Sequence, residues 1–200
     1  MPQFKRYVII LGFLFAAFAA RLAATTVVAP SFDQLVAQAD YVVRAVVKSV
    51  NSEWRTEGEN KHIITKVELD VREVMKGNPP QPLVLELLGG RIGNVEMKVE
   101  GAPTFFVGDE DILFVRGNGQ QVYPLVAIMH GQYLVQRDAK TGQEKVLRAN
   151  GVPLYSENDV ALPMTRTNAK AQTTGQPLTP AEFSKRIQAK ASNQPVTNAR

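Results

Sequence analysis

The chain has 200 residues, a formal net charge of +4 and no cysteine. The length suits one ordinary domain with short extensions, and the missing cysteine excludes disulfide bonds, thiol chemistry and thiolate metal sites. Residues 160–200 carry six basic residues and one acidic residue, whereas residues 25–159 carry 14 basic and 18 acidic residues. A mildly acidic body argues against a nucleic-acid-binding module, and we interpret the basic tail as a solubilising segment.

The first 24 residues have the organisation of a secretory signal peptide. The basic pair Lys5-Arg6 precedes an apolar run at residues 7–20, and small residues follow at Ala17-Phe18-Ala19 and at Leu22-Ala23-Ala24. The apolar run is shorter than the roughly 20 residues that a helix needs to cross a bilayer. We therefore predict that residues 1–24 direct export and are cleaved. An uncleaved N-terminal anchor is the alternative.

A short helix and a strand open the domain that we predict for residues 31–155. Ser31 and Gln34 have the spacing of a capping box, and the apolar residues that follow Ser31 recur at helical intervals. Residues 41–50 are β-branched and apolar on both faces, which predicts a central strand. Residues 51–61 are polar, and we predict that they form a loop containing the only tryptophan, Trp54.

The clearest strand pattern covers residues 63–77. Apolar residues alternate with charged ones, so that one predicted face consists of Ile63, Thr65, Val67, Leu69 and Val71. The alternation slips by one residue at Val74, which predicts a β-bulge near Arg72-Glu73. Lys76-Gly77 and the prolines that follow end the strand.

Several shorter strands complete the predicted domain. They are expected at residues 83–88, 94–100 (with Val95, Met97 and Val99 facing inward), 111–116, 122–129, 132–136 and 145–147. Gly89-Gly90 predicts a tight turn or bulge where side chains would clash, and Asp138–Gly142 predicts a hairpin loop. Short strands without room for crossover helices indicate a mainly β fold. We predict a small, partly open antiparallel β-barrel of the OB type, and a β-sandwich is the alternative.

The chain changes character after Tyr155. Residues 156–178 are rich in Thr, Asn, Gln and Ala, and we predict a linker there. A capping box at Thr179-Pro180-Ala181-Glu182 predicts a C-terminal helix over residues 179–191. Residues 192–200 are predicted to form a disordered tail.

Side chains that could carry chemistry are few and scattered. His62 and His130 lack the spacing of a zinc peptidase motif, and Asp109-Glu110-Asp111 lacks the calcium-loop pattern, so we interpret these acids as solvated residues before a buried strand. Gly89–Asn94 does not match a phosphate loop, and no serine lies in a Gly-x-Ser-x-Gly motif. We therefore predict no catalytic residue, no metal ligand and no cofactor.

A set of short motifs resembles a group of exported bacterial proteins without an assigned function. The resemblance covers residues 31–136 and the Thr-Pro-x-Glu-Phe segment at residues 179–183. It rests on Ala39-Asp40-Tyr41-Val42-Val43, Val71–Gly77, Gly89-Gly90, Gly101–Phe105, Gly108–Val115 and Gly131-Gln132-Tyr133. It implies a periplasmic or secreted β-domain and transfers no catalytic residue. Some similar domains lie beside secreted peptidase domains, but this chain has no peptidase motif, so that activity is not implied.

Together these features favour an exported, non-catalytic β-domain. We expect it to bind an unknown protein or envelope component at the cell envelope or outside the cell, with no nucleic-acid partner and with membrane contact only through an uncleaved N-terminus. A second hypothesis is an envelope enzyme or metal-binding accessory protein that brings together His62, His130 and Asp109–Asp111. A third is a membrane-tethered scaffold that keeps its N-terminal segment.

Overall fold

The computed structural model describes residues 28–164 and 175–193. The predicted signal peptide at residues 1–24 lies outside the described residues. Residues 165–174 of the predicted linker and residues 194–200 of the predicted tail lie outside them as well.

The described residues form eight strands and two α-helices. The helices are α1 (Phe32–Gln38) and α2 (Pro180–Ser192), and short 3₁₀ helices cover Ile128–Gly131 and Glu157–Ala161. The strands are β1 (Tyr41–Glu57), β2 (Asn60–Lys76), β3 (Leu83–Leu88), β4 (Gly90–Ile92), β5 (Val95–Met97), β6 (Glu110–Val115), β7 (Gln132–Arg137) and β8 (Glu144–Arg148).

Six of the strands form one antiparallel sheet in the order β3-β2-β1-β6-β7-β8, and β4 pairs with β5 in a separate hairpin. The prediction of a mainly β fold with two helices is confirmed. Over residues 28–164 and 175–193 the sheet ends at β3 and β8 and forms no closed barrel. The outer edge of β8 is covered by later parts of the chain, because the amide of Val146 donates to the carbonyl of Leu178 at 2.9 Å.

Each face of the sheet carries its own apolar cluster. The helix-side cluster contains α1, α2 and the side chains of Val42, Ile112, Phe114, Tyr133 and Val146. The groove-side cluster contains Val43, Ala45, Val47, Val67, Leu69, Leu85, Phe105 and Leu113. Strands β1 and β6 contribute to both clusters, which explains why residues 41–47 and 112–115 are almost continuously apolar.

The polar segment predicted as a loop at residues 51–61 is instead the outer half of a long hairpin. Strands β1 and β2 pair along their whole length, from Val42 opposite Lys76 at one end to Glu57 opposite Asn60 at the other. Only Gly58 and Glu59 form the turn. The prediction was wrong because this half of the hairpin extends past β6, so both of its faces carry polar residues and the usual alternation is lost.

The predicted bulge is confirmed. Arg72 is the extra residue of β2 between the pairs Arg44–Glu73 and Ala45–Val71. Two further register shifts interrupt the hairpin, between the pairs of Val42 and Val43 and between those of Val47 and Ser49. An extra residue in a strand moves the side chains that follow it to the opposite face. Val71, before the bulge, therefore packs on the groove side, whereas Met75, after it, is buried on the helix side and Val74 is exposed.

Two other predicted strands are wrong or shorter than expected. Residues 122–129 form a turn that leads into a 3₁₀ helix, and Ala127 (φ 48°) and Ile128 (φ 58°) have left-handed backbones that no strand accommodates. Of residues 94–100, only Val95–Met97 are extended. Val95 is exposed rather than inward because its hairpin projects from the sheet.

The Lys76-Gly77 pair locks α1 against the end of β2. The Lys76 ammonium donates to the carbonyls of Val36 at 2.6 Å, Ala37 at 3.3 Å and Ala39 at 2.7 Å, which satisfies the end of the helix. Gly77 has a φ of 72°, and a Cβ there would lie 2.2 Å from the carbonyl oxygen of Asp40. Residues 36–40 and 76–77 therefore meet at a packing contact.

Helix α2 is an integral part of the helix-side cluster. Thr179 and Glu182 form the predicted capping box, and Phe183 and Ile187 are fully buried. Ser184 and Gln188 both donate to Glu73 of β2. Within the predicted linker at residues 156–178, Val160 and Leu178 pack in the same cluster, so both ends of that segment belong to the folded domain.

Candidate functional site

A groove lies on the sheet face opposite the helices, between the outer half of the β1–β2 hairpin, β3 and the β4–β5 hairpin. Its volume is about 410 Å³. Apolar side chains form the floor: Val50, Val67, Leu87 and Phe105. Residues 96–99 and 102–104 form the opposite wall.

Two hydroxyl groups lie side by side in the floor of the groove. Ser52 of β1 and Thr65 of β2 are cross-strand neighbours whose oxygens lie 2.9 Å apart. The Thr65 hydroxyl donates to the carbonyl of Gly89 at 2.6 Å. Because the single proton of Thr65 is used there, the Ser52 hydroxyl must donate to Thr65, and its own lone pairs remain available as acceptors.

The two glycines at positions 89 and 90 leave no room for a side chain, and at Gly90 the space is taken by these hydroxyls. A Cβ at Gly90 would lie 2.1 Å from Thr65 Oγ1 and 2.5 Å from Ser52 Oγ, and a Cβ at Gly89 would lie 2.6 Å from the carbonyl oxygen of Met97. The predicted steric clash at Gly89-Gly90 is therefore confirmed. The sequence does not indicate the reason for this clash, since the polar residues around Ser52 predict a loop and Thr65 is only one position of a predicted strand face.

The rim of the groove has no dominant charge. Arg91, Glu96 and Lys98 line it, and the Arg91 Nε donates to the carbonyl of Gly93 at 3.3 Å. Mixed rim charges around an apolar floor suit a ligand that is neutral overall. They also suit a peptide whose apolar side chain contacts the floor while its polar backbone lies at the rim.

A buried carboxylate supports the wall of the groove. Asp111 is fully buried at the start of β6, and burial raises the pKa of its carboxyl group to about 7, with Asp109 and Glu110 adding to the effect. Gln132 Nε2 donates to Asp111 Oδ2 at 3.1 Å and to the carbonyl of Thr104 at 2.8 Å. The interpretation of Asp109–Asp111 as solvated acids is wrong for Asp111, because the β6–β7 pairing covers it.

The two histidines lie in unrelated surroundings. His62 pairs with Arg55 near the hairpin turn, and its Nε2 lies 4.0 Å from Glu57. His130 is buried in a 3₁₀ helix, where burial and the nearby Arg148 lower its pKa, and its Nδ1 has no hydrogen-bond partner among the described residues.

The structure does not bring together His62 and Asp111, two members of the ligand set that the second hypothesis requires. Asp111 pairs with Ala45 and His62 pairs with Arg55, so about 30 Å of strand separates them at 3.3 Å per residue. Within residues 28–164 and 175–193, no three His, Asp or Glu side chains are grouped so that they could hold a metal ion.

A second buried charge, Arg148 at the end of β8, was not predictable from the sequence. Arg148 is fully buried, and its Nη groups donate to the carbonyls of Leu162 and Pro163. Its Nε and the hydroxyl of its cross-strand neighbour Tyr133 have no partner among the described residues. This guanidinium fixes the segment after the second 3₁₀ helix on the sheet, which is a structural role.

No protein-family model, no curated protein and no solved structure matches this chain. Neither α1 nor α2, the two α-helices of the described residues, is long and apolar enough to cross a bilayer.

Proposed function

We propose that the protein is an exported, non-catalytic binding module that acts at the cell envelope or outside the cell. Its binding site is the groove, and its partner is a protein or envelope component that presents an extended polypeptide segment. The observation that carries this proposal is the combination of an apolar floor with a hydroxyl acceptor at Ser52.

The size and chemistry of the groove support this class of ligand. A volume of about 410 Å³ lies within the range of pockets that hold small ligands or one or two side chains. An apolar side chain of the partner would contact Val67, Leu87 and Phe105, and a backbone N–H of the partner would donate to Ser52. The fold of this module, in our proposal, is the partly open barrel rather than the sandwich. Three register shifts interrupt the β1–β2 hairpin, and bulges of this kind bend strands as a barrel requires.

Filling the groove will weaken peptide binding. Ala102 lines the groove, so Ala102→Trp places an indole in the space that the partner's side chain would occupy. Peptides selected from a random display library against the purified protein should share one apolar position. Isothermal titration should show binding of such a peptide that weakens at least about tenfold in the Ala102→Trp variant, the loss of roughly 1.4 kcal/mol.

The matched control is Val95→Trp. Val95 is exposed on the same β4–β5 hairpin and does not line the groove, so this variant should bind the selected peptide as the wild type does. A selection without enriched peptides, or enriched peptides that bind both variants equally, would contradict the proposal.

The export part of the proposal predicts the start of the mature chain. Cleavage after Ala19 gives a protein that begins at Ala20, and cleavage after Ala24 gives one that begins at Thr25. Intact-mass measurement of the protein recovered from its native host will show one of these starts. A mass that retains residues 1–19 would favour the membrane-tethered scaffold instead.

A further inference from the structure

The outer half of β1 has one unpaired edge. Strand β6 pairs with β1 only from Tyr41 to Val46, and the last backbone bonds on that edge join Val47 to Gly108 and Asp109. From Ser49 to Glu57, β1 pairs with β2 on its other side, and no third strand of the described residues covers it. An open strand edge of this length is a template for another strand, because its outward N–H and C=O groups have no backbone partner among the described residues.

We propose that this edge pairs antiparallel with the same edge of a second copy of the chain, with Trp54 facing Trp54 across the two-fold axis. The proposal concerns the hairpin edge and does not depend on what the groove binds.

Symmetry limits the possible registers to a few. A two-fold axis perpendicular to an antiparallel pair passes through the midpoint of two directly opposed residues, so one residue must face its own copy. Registers centred on Glu53 or on Arg55 place like charges opposite each other, which destabilises a strand pair. A register centred on Ser52 brings no opposite charges together. A register centred on Thr56 would pair Arg55 with Glu57, but it places Trp54 opposite Gly58, which lies in the turn beyond the strand.

The register centred on Trp54 is complementary to itself. It places Glu53 opposite Arg55 of the other copy, twice over, and Ser52 opposite Thr56. Arg55 is held in place by Glu86, whose oxygens lie 2.9 Å from Nη1 and Nη2. Glu53 Oε1 lies 3.7 Å from Arg55 Nη2 and 2.8 Å from Lys66 Nζ, so both charged side chains are already oriented on this face of the hairpin.

Trp54 is suited to the centre of such an interface. Its side chain is 41% exposed, and the ammonium of Lys61 lies 4.6 Å from the ring centroid, which holds the indole against the hairpin. A cross-strand pair of indoles would bury this exposed surface. Such pairing would also put the two grooves on one continuous sheet, with their Ser52 residues about 14 Å apart, from strand rise and strand spacing.

A charge-exchange experiment tests the pairing. The wild type should form a dimer in sedimentation velocity, and the fluorescence of Trp54, the only tryptophan, should shift to the blue as the protein concentration rises. The variants Glu53→Arg and Arg55→Glu each oppose like charges, so each should dimerise at least about tenfold more weakly. An equal mixture of the two restores both opposite pairs and should form a heterodimer close to the wild type in affinity.

The mixture separates interface loss from misfolding, because a variant that fails to fold cannot regain affinity by mixing. Lys185→Glu reverses an exposed charge on α2, away from the hairpin edge and the groove, and should leave the dimer unchanged. A wild type that stays monomeric at its highest soluble concentration would overturn the proposal. A mixture that associates no better than the single variants would overturn it as well.

Discussion

The variant Asp111→Asn will gain stability relative to the wild type as the pH rises from about 4 to about 7, because the buried Asp111 carboxyl penalises folding increasingly over that range. The Asp111 carboxyl is fully buried, one of its oxygens has no described hydrogen-bond partner, and burial raises its pKa to about 7 from an ordinary value of 3.8. The charged groups nearest to it are the acids Asp109 and Glu110, and β7 contributes the neutral amide of Gln132.

The direction of the effect follows from proton linkage. Below pH 3.8 the carboxyl is protonated in both the folded and the unfolded chain, so this group does not penalise folding. Between about pH 4 and pH 7 the unfolded chain loses the proton while the folded chain keeps it, so the contribution of this group to stability falls as the pH rises. Above about pH 7 both are ionised and the penalty is constant at roughly 4 kcal/mol, at 1.36 kcal/mol for each pH unit.

Urea unfolding at a series of pH values measures this. Asparagine is close in shape to the protonated aspartate, so the variant should match the wild type near pH 4 and exceed it by up to roughly 4 kcal/mol at pH 8. The control Asp109→Asn removes an exposed acid two residues away and should not show this gain. Equal slopes for the wild type and Asp111→Asn would contradict the assignment of the penalty to Asp111.

Truncating Phe183 to alanine will cost about 4 kcal/mol of unfolding free energy, within the usual range for a buried aromatic residue. The Phe183 ring lies 5.1 Å from Tyr133, 5.9 Å from Phe32 and 6.1 Å from Phe114, measured between centroids, and it is fully buried. Its removal therefore opens a cavity at the point where α2, α1 and the sheet meet. Chemical denaturation with a tryptophan-fluorescence or circular-dichroism readout gives the free energy.

The control for this prediction is Lys185→Ala on the same helix. Lys185 is exposed, so its truncation should change stability by less than about 0.5 kcal/mol. If Phe183→Ala were as stable as the wild type, α2 would be a peripheral appendage and the helix-side cluster would not depend on it.

Helices and strands could be predicted from the sequence where a pattern of neighbouring residues was sufficient to specify them. The alternation of residues 63–71, the bulge at Arg72 and the capping boxes of α1 and α2 appear in the structure as predicted. The pattern failed for residues 51–57 and 122–129. Residues 51–57 form a strand whose side chains do not pack in either apolar cluster, so the apolar alternation is missing. Residues 122–129 are apolar because part of this turn is buried, not because the segment is extended.

The candidate site was not predictable in the same way. Ser52 and Thr65 are 13 positions apart and meet only through the register of the hairpin. Gly90 gave the one usable signal, since a double glycine after a strand indicates a close approach. Asp111 looked like its acidic neighbours because nothing local distinguishes an acid that a later strand will cover.

The sequence by itself determined the strand-forming segments, the capped helices and the absence of cysteine chemistry, because alternation, capping and composition depend on residues close together in the chain. Only the tertiary structure decided which polar groups are buried, where the groove lies and which strand edge is open. Burial and edge pairing depend on contacts between distant segments, such as β6 ending its pairing at Val46 while β1 continues to Glu57. That difference in length leaves both the groove and the open edge on the outer half of the β1–β2 hairpin.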